Sequence, residues 1–286
     1  MKFPPFEYHR AEDLSSAFAL LAEDGARPLA GGQSLLPLLA LRMARPSILV
    51  DLSRLEELRG VRVDSRERPA DVLSIGALTT HAEIEQSEAV AQHLPLLATV
   101  ASHIGHLSIR HLGTIGGSVA HADPAAEWPA TCIALGAVVE ISSLEGVRRE
   151  PVAELVAGPY QTRLSEGEVI SRLDFPLESD RRVGMAEVAI RPGDFALAGA
   201  VCALEGHDGS VEATVTFFGV EGRPRRLGQT SPNPAADGSV RESMAEEFVA
   251  QLEDVLEDVH ASGSFRRHLA GTVFKRALGE ALKERP

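Results

Sequence analysis

The chemistry of this chain is most legible where its side chains are smallest. Gly113-Thr114-Ile115-Gly116-Gly117-Ser118 puts three glycines into five positions between hydroxyl residues, and Val119-Ala120-His121-Ala122-Asp123-Pro124 follows. Backbone without Cβ atoms lets a ligand come close, and successive N–H groups there form a concave anion site. A second segment of the same character, Ala30-Gly31-Gly32-Gln33-Ser34-Leu35, lies 82 residues upstream. Taken singly, either segment reads as a tight turn. Together they predict two loops clasping one extended anion from both sides, for which a dinucleotide pyrophosphate is the natural candidate.

Other chemistries fit the spacing less well. No Gly-x-Gly-x-x-Gly occurs, and no Gly-Lys-Ser/Thr, so neither a Rossmann fingerprint nor a Walker A loop is present. His103, His106, His111 and His121 crowd into 19 residues, but no pair keeps the i, i+4 spacing of a helical zinc site and no cysteine joins them. We assign no metal ligands; His111 and His121, which flank the glycine segment, are expected to bond a ligand or the loop backbone. Ser34 lacks the Gly-x-Ser-x-Gly context of a nucleophile, and no catalytic residue is assigned. Asp123 and Glu127 stand four apart at a helix start, where carboxylates usually cap free N–H groups. The role preferred here is acceptance of a hydrogen bond from a ribose or ribityl hydroxyl.

Composition narrows the partners. The 286 residues are 44% apolar and 24% charged, with 28 Lys+Arg against 41 Asp+Glu and a formal charge of −13. Nucleic acid and anionic membranes are therefore poor partners, and a diphosphate is better served by N–H groups than by side-chain cations. Lysine occurs only at positions 2, 275 and 283. Cys132 and Cys202 are isolated in apolar runs, too few for an iron–sulfur cluster and read as buried thiols of a reducing, cytoplasmic setting. No signal peptide and no apolar stretch of membrane-spanning length is read.

The elements that must position these residues fall into three pieces. Residues 1–56 form a small α/β unit, with an extended lead-in, an amphipathic helix over 11–23, a strand over 27–30 feeding the first glycine segment, a helix over 35–43 and a strand over 48–52. Residues 57–176 carry a strand over 72–77, a helix capped by Thr80 with Glu83 three residues on, a helix over 95–104, the central glycine loop, a helix over 125–135, and strands over 137–141 and 168–175. A charged stretch then marks a boundary near 177. Residues 177–286 show three strands (185–190, 196–204 and 211–220), a polar Pro-rich loop over 224–237, a helix over 244–260 and a closing helix over 265–282. Strands followed by helices predict an α+β C-terminal domain.

At Ala30 to Pro37, Asp51-Leu52-Ser53, Ile75 to Thr79 and Ile109 to Glu127, the chain resembles the FAD-binding medium subunit of molybdenum hydroxylases, the xanthine dehydrogenase and carbon monoxide dehydrogenase group. Gly193-Asp194-Phe195-Ala196 and Arg266-Arg267-His268-Leu269 resemble its C-terminal domain. The resemblance covers essentially the whole chain. It implies an α+β protein: a two-subdomain FAD-binding frame of the vanillyl-alcohol-oxidase or PCMH type, then an α+β domain with a three-stranded antiparallel sheet. It places FAD against Leu29, Ala30, Gly31, Gly32, Gln33, Ser34 and Leu35 from one side. From the other come Gly113, Thr114, Ile115, Gly116, Gly117 and Ser118, joined by Ile104, Asp123, Glu127 and Ile170.

The resemblance also implies a division of labour. A molybdopterin-binding large subunit oxidises the substrate, a small [2Fe-2S] subunit relays electrons, and the FAD of this chain passes them to an external acceptor. A dimer of such heterotrimers is the assembly it suggests. Three departures accompany it: Glu127 stands where the family usually has Asp, His111-Leu112 replaces Asn-Arg, and Met185 to Val188 lacks the lysine expected before Gly193. Two alternatives share the same features, a flavin-free scaffold or assembly relative and a stand-alone flavin oxidoreductase.

Overall fold

The computed structural model describes residues 2–64, 71–206, 210–232, 234 and 238–283. The chain opens with β1 (Glu7–Arg10), α1 (Leu14–Leu21), β2 (Ala26–Leu29), α2 (Leu35–Ala40) and β3 (Ile48–Asp51). These strands make a parallel sheet ordered β1-β3-β2, so part of the expected lead-in is a strand paired with β3 from Glu7 opposite Ile48. Asp13 caps α1 through the N–H of Ser16 at 2.7 Å. Ala17, Phe18 and Leu21 bury its inner face against Ile48 and Val50. Asp51 ties the edge down by accepting from Tyr8, from Arg10 Nε at 2.9 Å and from the Ser53 N–H at 2.9 Å.

The middle region begins with β4 (Val61–Asp64), β5 (Val72–Gly76), α3 (His81–Glu85), α4 (Glu88–His93), α5 (Leu96–His103) and α6 (Leu107–Arg110). It continues through α7 (Ile115–His121), α8 (Glu127–Ala134), β6 (Val138–Ser143), β7 (Gly146–Pro151), α9 (Val152–Leu155), β8 (Val156–Gly158), β9 (Gln161–Thr162) and β10 (Val169–Pro176). An antiparallel sheet ordered β4-β5-β10-β6-β7 carries the helices on its buried face. Thr80 and Glu83 form the capping box read from the sequence. The stretch expected as a glycine loop is instead the first turn of α7, with Thr114 as its N-cap. Two adjacent glycines disfavour a helix by about 1 kcal/mol each, and tertiary contacts override that cost here.

The C-terminal region holds β11 (Arg182–Ala189), β12 (Ala196–Glu205), β13 (Ser210–Phe218), β14 (Arg226–Pro232), α10 (Gly238–Ala250) and α11 (Gly263–Ala281). Its antiparallel sheet has four strands in sequential order, not three. The strand missed is β14, inside the stretch read as a Pro-rich loop; residues 233 and 235–237 of that stretch lie outside the described residues. The helix expected over 244–260 lies earlier, at Gly238–Ala250. Beyond it the chain is irregular, Val255 bridges to Glu221, and Val259 is exposed.

α10 and α11 cover one face of this sheet, with Phe248 and Phe274 edge to face at 5.0 Å. Its other face meets α8, every residue of which is buried. Arg266, 3% exposed, clamps α11 to the sheet by donating to the carbonyls of Leu197 at 2.6 Å and Gly219 at 2.5 Å and to Asp258 at 2.6 Å. Replacing it leaves two carbonyls without this donor. Arg266→Leu is expected to lower unfolding free energy by about 3 kcal/mol, measured by urea denaturation; a loss below about 1 kcal/mol contradicts the clamp.

Candidate functional site

A cleft of about 840 Å³ lies among the end of the parallel sheet, α7, the start of α8, β10 and the Gly193–Phe195 turn. Its first wall is the segment between β2 and α2. Gly32 has φ +70°, a conformation that glycine adopts without strain. At Gly31 a Cβ would lie 1.9 Å from the Leu112 carbonyl oxygen and 2.9 Å from Gly113 Cα. The two glycine segments are thus in direct backbone contact, and only glycine permits it.

The two segments differ in what they offer a ligand. Among the described residues, the N–H groups of Gly31, Gly32, Gln33, Ser34 and Leu35 meet no protein acceptor. The Gln33 amide donates to the Gly31 carbonyl at 3.0 Å and braces the turn. In the second segment the Ile115 N–H donates to Thr79 O at 3.1 Å and the Gly116 N–H to Ala77 O at 2.9 Å. The Gly117 N–H reaches Thr114 Oγ1 at 3.2 Å. These bonds weld α7 to the β5–α3 turn and leave the Thr114 N–H as the amide of this segment without a protein acceptor among the described residues, so the first segment supplies most of the open donors. The second segment supplies close approach: a Cβ on Gly116 would meet Ala77 Cβ at 2.5 Å.

Leu29 through Leu35 line the cleft, as do Gly113, Thr114, Gly116, Gly117 and Ser118. Ile104, Asp123, Glu127 and Ile170 line it as well. Ile115 does not; its side chain is fully buried in the helix–sheet core. The helical twist at Thr114 turns that residue away from its glycine neighbours.

Asp123 accepts the Ala125 N–H at 2.9 Å and so stabilises the turn into α8. Glu127 is 5% exposed, and its carboxyl is pushed up to about 8, chiefly by burial, then by Glu187 and Asp123. It is thus a neutral acid at pH 7, able to donate as well as accept. Glu187 stands in the β11 stretch where the resemblance leads one to expect lysine. Burial raises its carboxyl too, against the opposing pull of His103, and its Oε2 is buried without a partner.

Sequence reasoning passed over several lining residues. Tyr160 has φ +55° and packs against His121, with tilted rings whose centroids lie 5.2 Å apart; its phenol is raised by burial and by Asp123. Gly193, with φ +84°, closes on Gly105, whose carbonyl would lie 2.8 Å from an added Cβ. His81 also lines the cleft, and its only sequence signal was its place after the capping Thr80. His111 instead lines a separate pocket of about 320 Å³ with Arg59 and Glu83. His103 bonds the Thr99 carbonyl at 2.9 Å.

Five uncommitted N–H groups beside a Cβ-free surface, in a cleft of nucleotide size, fit a flavin dinucleotide. Comparison with known proteins agrees. Residues 4–178 match the family described as the FAD binding domain in molybdopterin dehydrogenase, and residues 186–281 match the CO dehydrogenase flavoprotein C-terminal domain. The chain belongs to this family of FAD-binding medium subunits of molybdenum hydroxylases.

It is 37% identical to the alpha subunit of the 6-hydroxypseudooxynicotine dehydrogenase complex of Paenarthrobacter nicotinovorans, covering 99% of this chain and 96% of that protein. It is 34% identical to the nicotine 6-hydroxylase medium subunit of the same organism, covering 98% and 99%. The crystal structure of quinoline 2-oxidoreductase from Pseudomonas putida 86 superposes with a TM-score of 0.89 at 36% identity, covering 98% of both chains. Carbon monoxide dehydrogenase of Hydrogenophaga pseudoflava gives 0.88 at 32%, again over 98% of both.

The buried acid has a consequence for stability. A folded-state value near 8 lies above the ordinary 4.5, so the folded chain holds this proton more tightly than the unfolded chain. The contribution is complete below pH 4.5 and is lost as pH rises through 8. Glu127→Gln is therefore expected to raise Tm at pH 9 by about 5 °C and to change it little at pH 5. Calorimetric melts at both values check this; equal shifts would remove the assignment of a neutral carboxyl.

Proposed function

We propose that this chain is the FAD-carrying, electron-transferring subunit of a molybdenum hydroxylase and that its cleft holds the nucleotide. The observation that carries the reading is the row of five uncommitted N–H groups at Gly31–Leu35, pressed against Gly113. They suit the two charges of a diphosphate in a protein of net charge −13. Leu29, Ala30 and Ile104 would pack on apolar parts of the cofactor, Thr114 and Ser118 would bond its oxygens, and Ile170 would offer backbone contacts. Asp123 and Glu127 would meet the hydroxyls of the ribityl chain or ribose.

When bound, the flavin supplies reversible redox chemistry in one- and two-electron steps. The protein's own part is to bind and orient that group and to hold a proton at Glu127. We assign residues 1–56 and 57–176 to the two halves of the FAD frame and 177–286 to the domain that closes on it. With two buried, unpaired cysteines the chain has no ligand set for a cluster. An iron–sulfur subunit would deliver electrons to it and a molybdopterin subunit would oxidise the substrate. No described helix is long and apolar enough to cross a membrane, and we place the complex in the cytoplasm.

The test is a titration of the purified full chain. FAD is expected to bind one per chain, and riboflavin, lacking the diphosphate, at least about tenfold more weakly. Gly117→Val, which adds bulk facing Ala30, is expected to weaken FAD by about tenfold or more. Protein that ignores FAD, or prefers riboflavin, would sink the assignment.

A further inference from the structure

His81 is a buried polar group that no cofactor assignment above uses. It is the first residue of α3, held next to the second glycine segment by its own N–H, which donates to the Gly113 carbonyl at 3.0 Å. The ring is 4% exposed and lines the cleft. Its Nδ1 receives the indole N–H of Trp128 at 3.0 Å, a bond buried from solvent. Indole can only donate, so Nδ1 must be the bare nitrogen and the proton of the neutral ring must sit on Nε2. Burial, helped by the charge of Arg110, lowers His81 to about 4, in keeping with that neutral form.

The outward nitrogen lies where the two glycine segments meet. A Cβ on Gly113 would come within 2.7 Å of His81 Nε2, and one on Gly31 within 2.9 Å of Gly113 Cα. Among the described residues Nε2 has no hydrogen-bond acceptor. The result is a donor of fixed tautomer, backed by a fully buried tryptophan, at the rim of the five-amide cradle.

Resting on the FAD reading above, we propose that His81 is a cofactor-contacting residue whose Nε2–H donates to a diphosphate oxygen of the bound dinucleotide, with Trp128 as the positioning residue that fixes its tautomer. The arrangement adds a side-chain donor to the cradle from the side where most backbone amides are already bonded.

The experiment uses the full chain and reads two signals, flavin fluorescence and the emission of Trp128, the only tryptophan. FAD and riboflavin are titrated in parallel into wild type, His81→Leu and His81→Gln. A hydrogen bond to a charged oxygen makes the expected loss of FAD affinity in His81→Leu about 10- to 100-fold. Riboflavin affinity should move by less than about threefold, and His81→Gln, which keeps an amide donor near the Nε2 position, should recover most of the loss.

Wild-type binding of FAD that His81→Leu leaves intact overturns the contact while sparing the FAD assignment. So does an equal loss for FAD and riboflavin, which marks a merely structural role. Wild-type protein that binds no FAD overturns both. Should His81→Leu fail to fold, histidine-labelled wild type read by ¹⁵N NMR decides the question. The Nε2–H resonance of His81 must be present at pH 7 and must shift with FAD but not with riboflavin; an unmoved resonance overturns the proposal.

Discussion

The structure depends on one steric permission. Gly31 and Leu112 touch backbone to backbone, and a single methyl group at position 31 would sit 1.9 Å from a carbonyl oxygen. No rotamer change relieves such a clash, because the obstacle is main chain. The contact draws the parallel sheet, through the turn after β2, onto the corner between α6 and α7. From there the Ile115 and Gly116 N–H groups carry the register to Thr79 and Ala77, and the Thr80–Thr114 bridge extends it. The cleft is the space left over when two pieces of chain far apart in sequence are forced this close.

That geometry answers an electrostatic problem. A protein of net charge −13 must hold a dianion without a basic pocket. Arg27 is the one cation among the described residues that line the cleft. Arg110 sits nearby but is engaged by Glu85 at 2.9 Å and by the Gly105 carbonyl at 3.0 Å. Arg59 is occupied by the carbonyls of Leu78 and Ser53. The donors that remain are neutral: backbone amides, the hydroxyls of residues such as Ser34, Thr114 and Ser118, and the His81 imidazole, kept uncharged by burial and by Arg110. Neutral dipoles cost less to desolvate than ions and need not be released from partners when a ligand arrives. The neutral Glu127 belongs to the same scheme, since an ionised carboxylate there would repel the diphosphate.

Much of this was legible in the residues, and the misses have physical causes. The capping box at Thr80 and Glu83, the buried strands at 48–51 and 72–76 and the closing helix are local patterns, and local rules read them. Whole-chain resemblance named the cofactor and sixteen of the residues now found around the cleft. α7 was misread because Gly116 and Gly117 are poor helix formers; Thr114 caps the helix locally, but the demand of Ala77 for a residue without a Cβ at position 116 is tertiary. β14 was hidden in a polar stretch because it is an edge strand, held by its ladder with β13 rather than by an apolar face. The apolar spacing at Val255 and Val259 imitated a helix, yet Val255 serves a bridge and Val259 lies in solvent. His81 carried no motif at all. Its meaning comes from a partner 47 residues away.

The two matched domains act on one site because α8 leaves them no independence. The helix is buried on every side, between α5, α7 and α9 of the middle region and β12–β13, and its first residue is Glu127. Pro129 sits in its first turn, where a missing N–H costs nothing. On the C-terminal side, β11 brings Glu187 within electrostatic reach of Glu127, and Gly193 folds its turn onto Gly105 so that Phe195 enters the cleft wall. Any motion of the C-terminal sheet relative to α8 must therefore alter both the burial of that acid and the width of the cleft mouth. A domain that carries none of the amide cradle still sets the charge and the closure of the site, so the chain has to be understood as one binding unit.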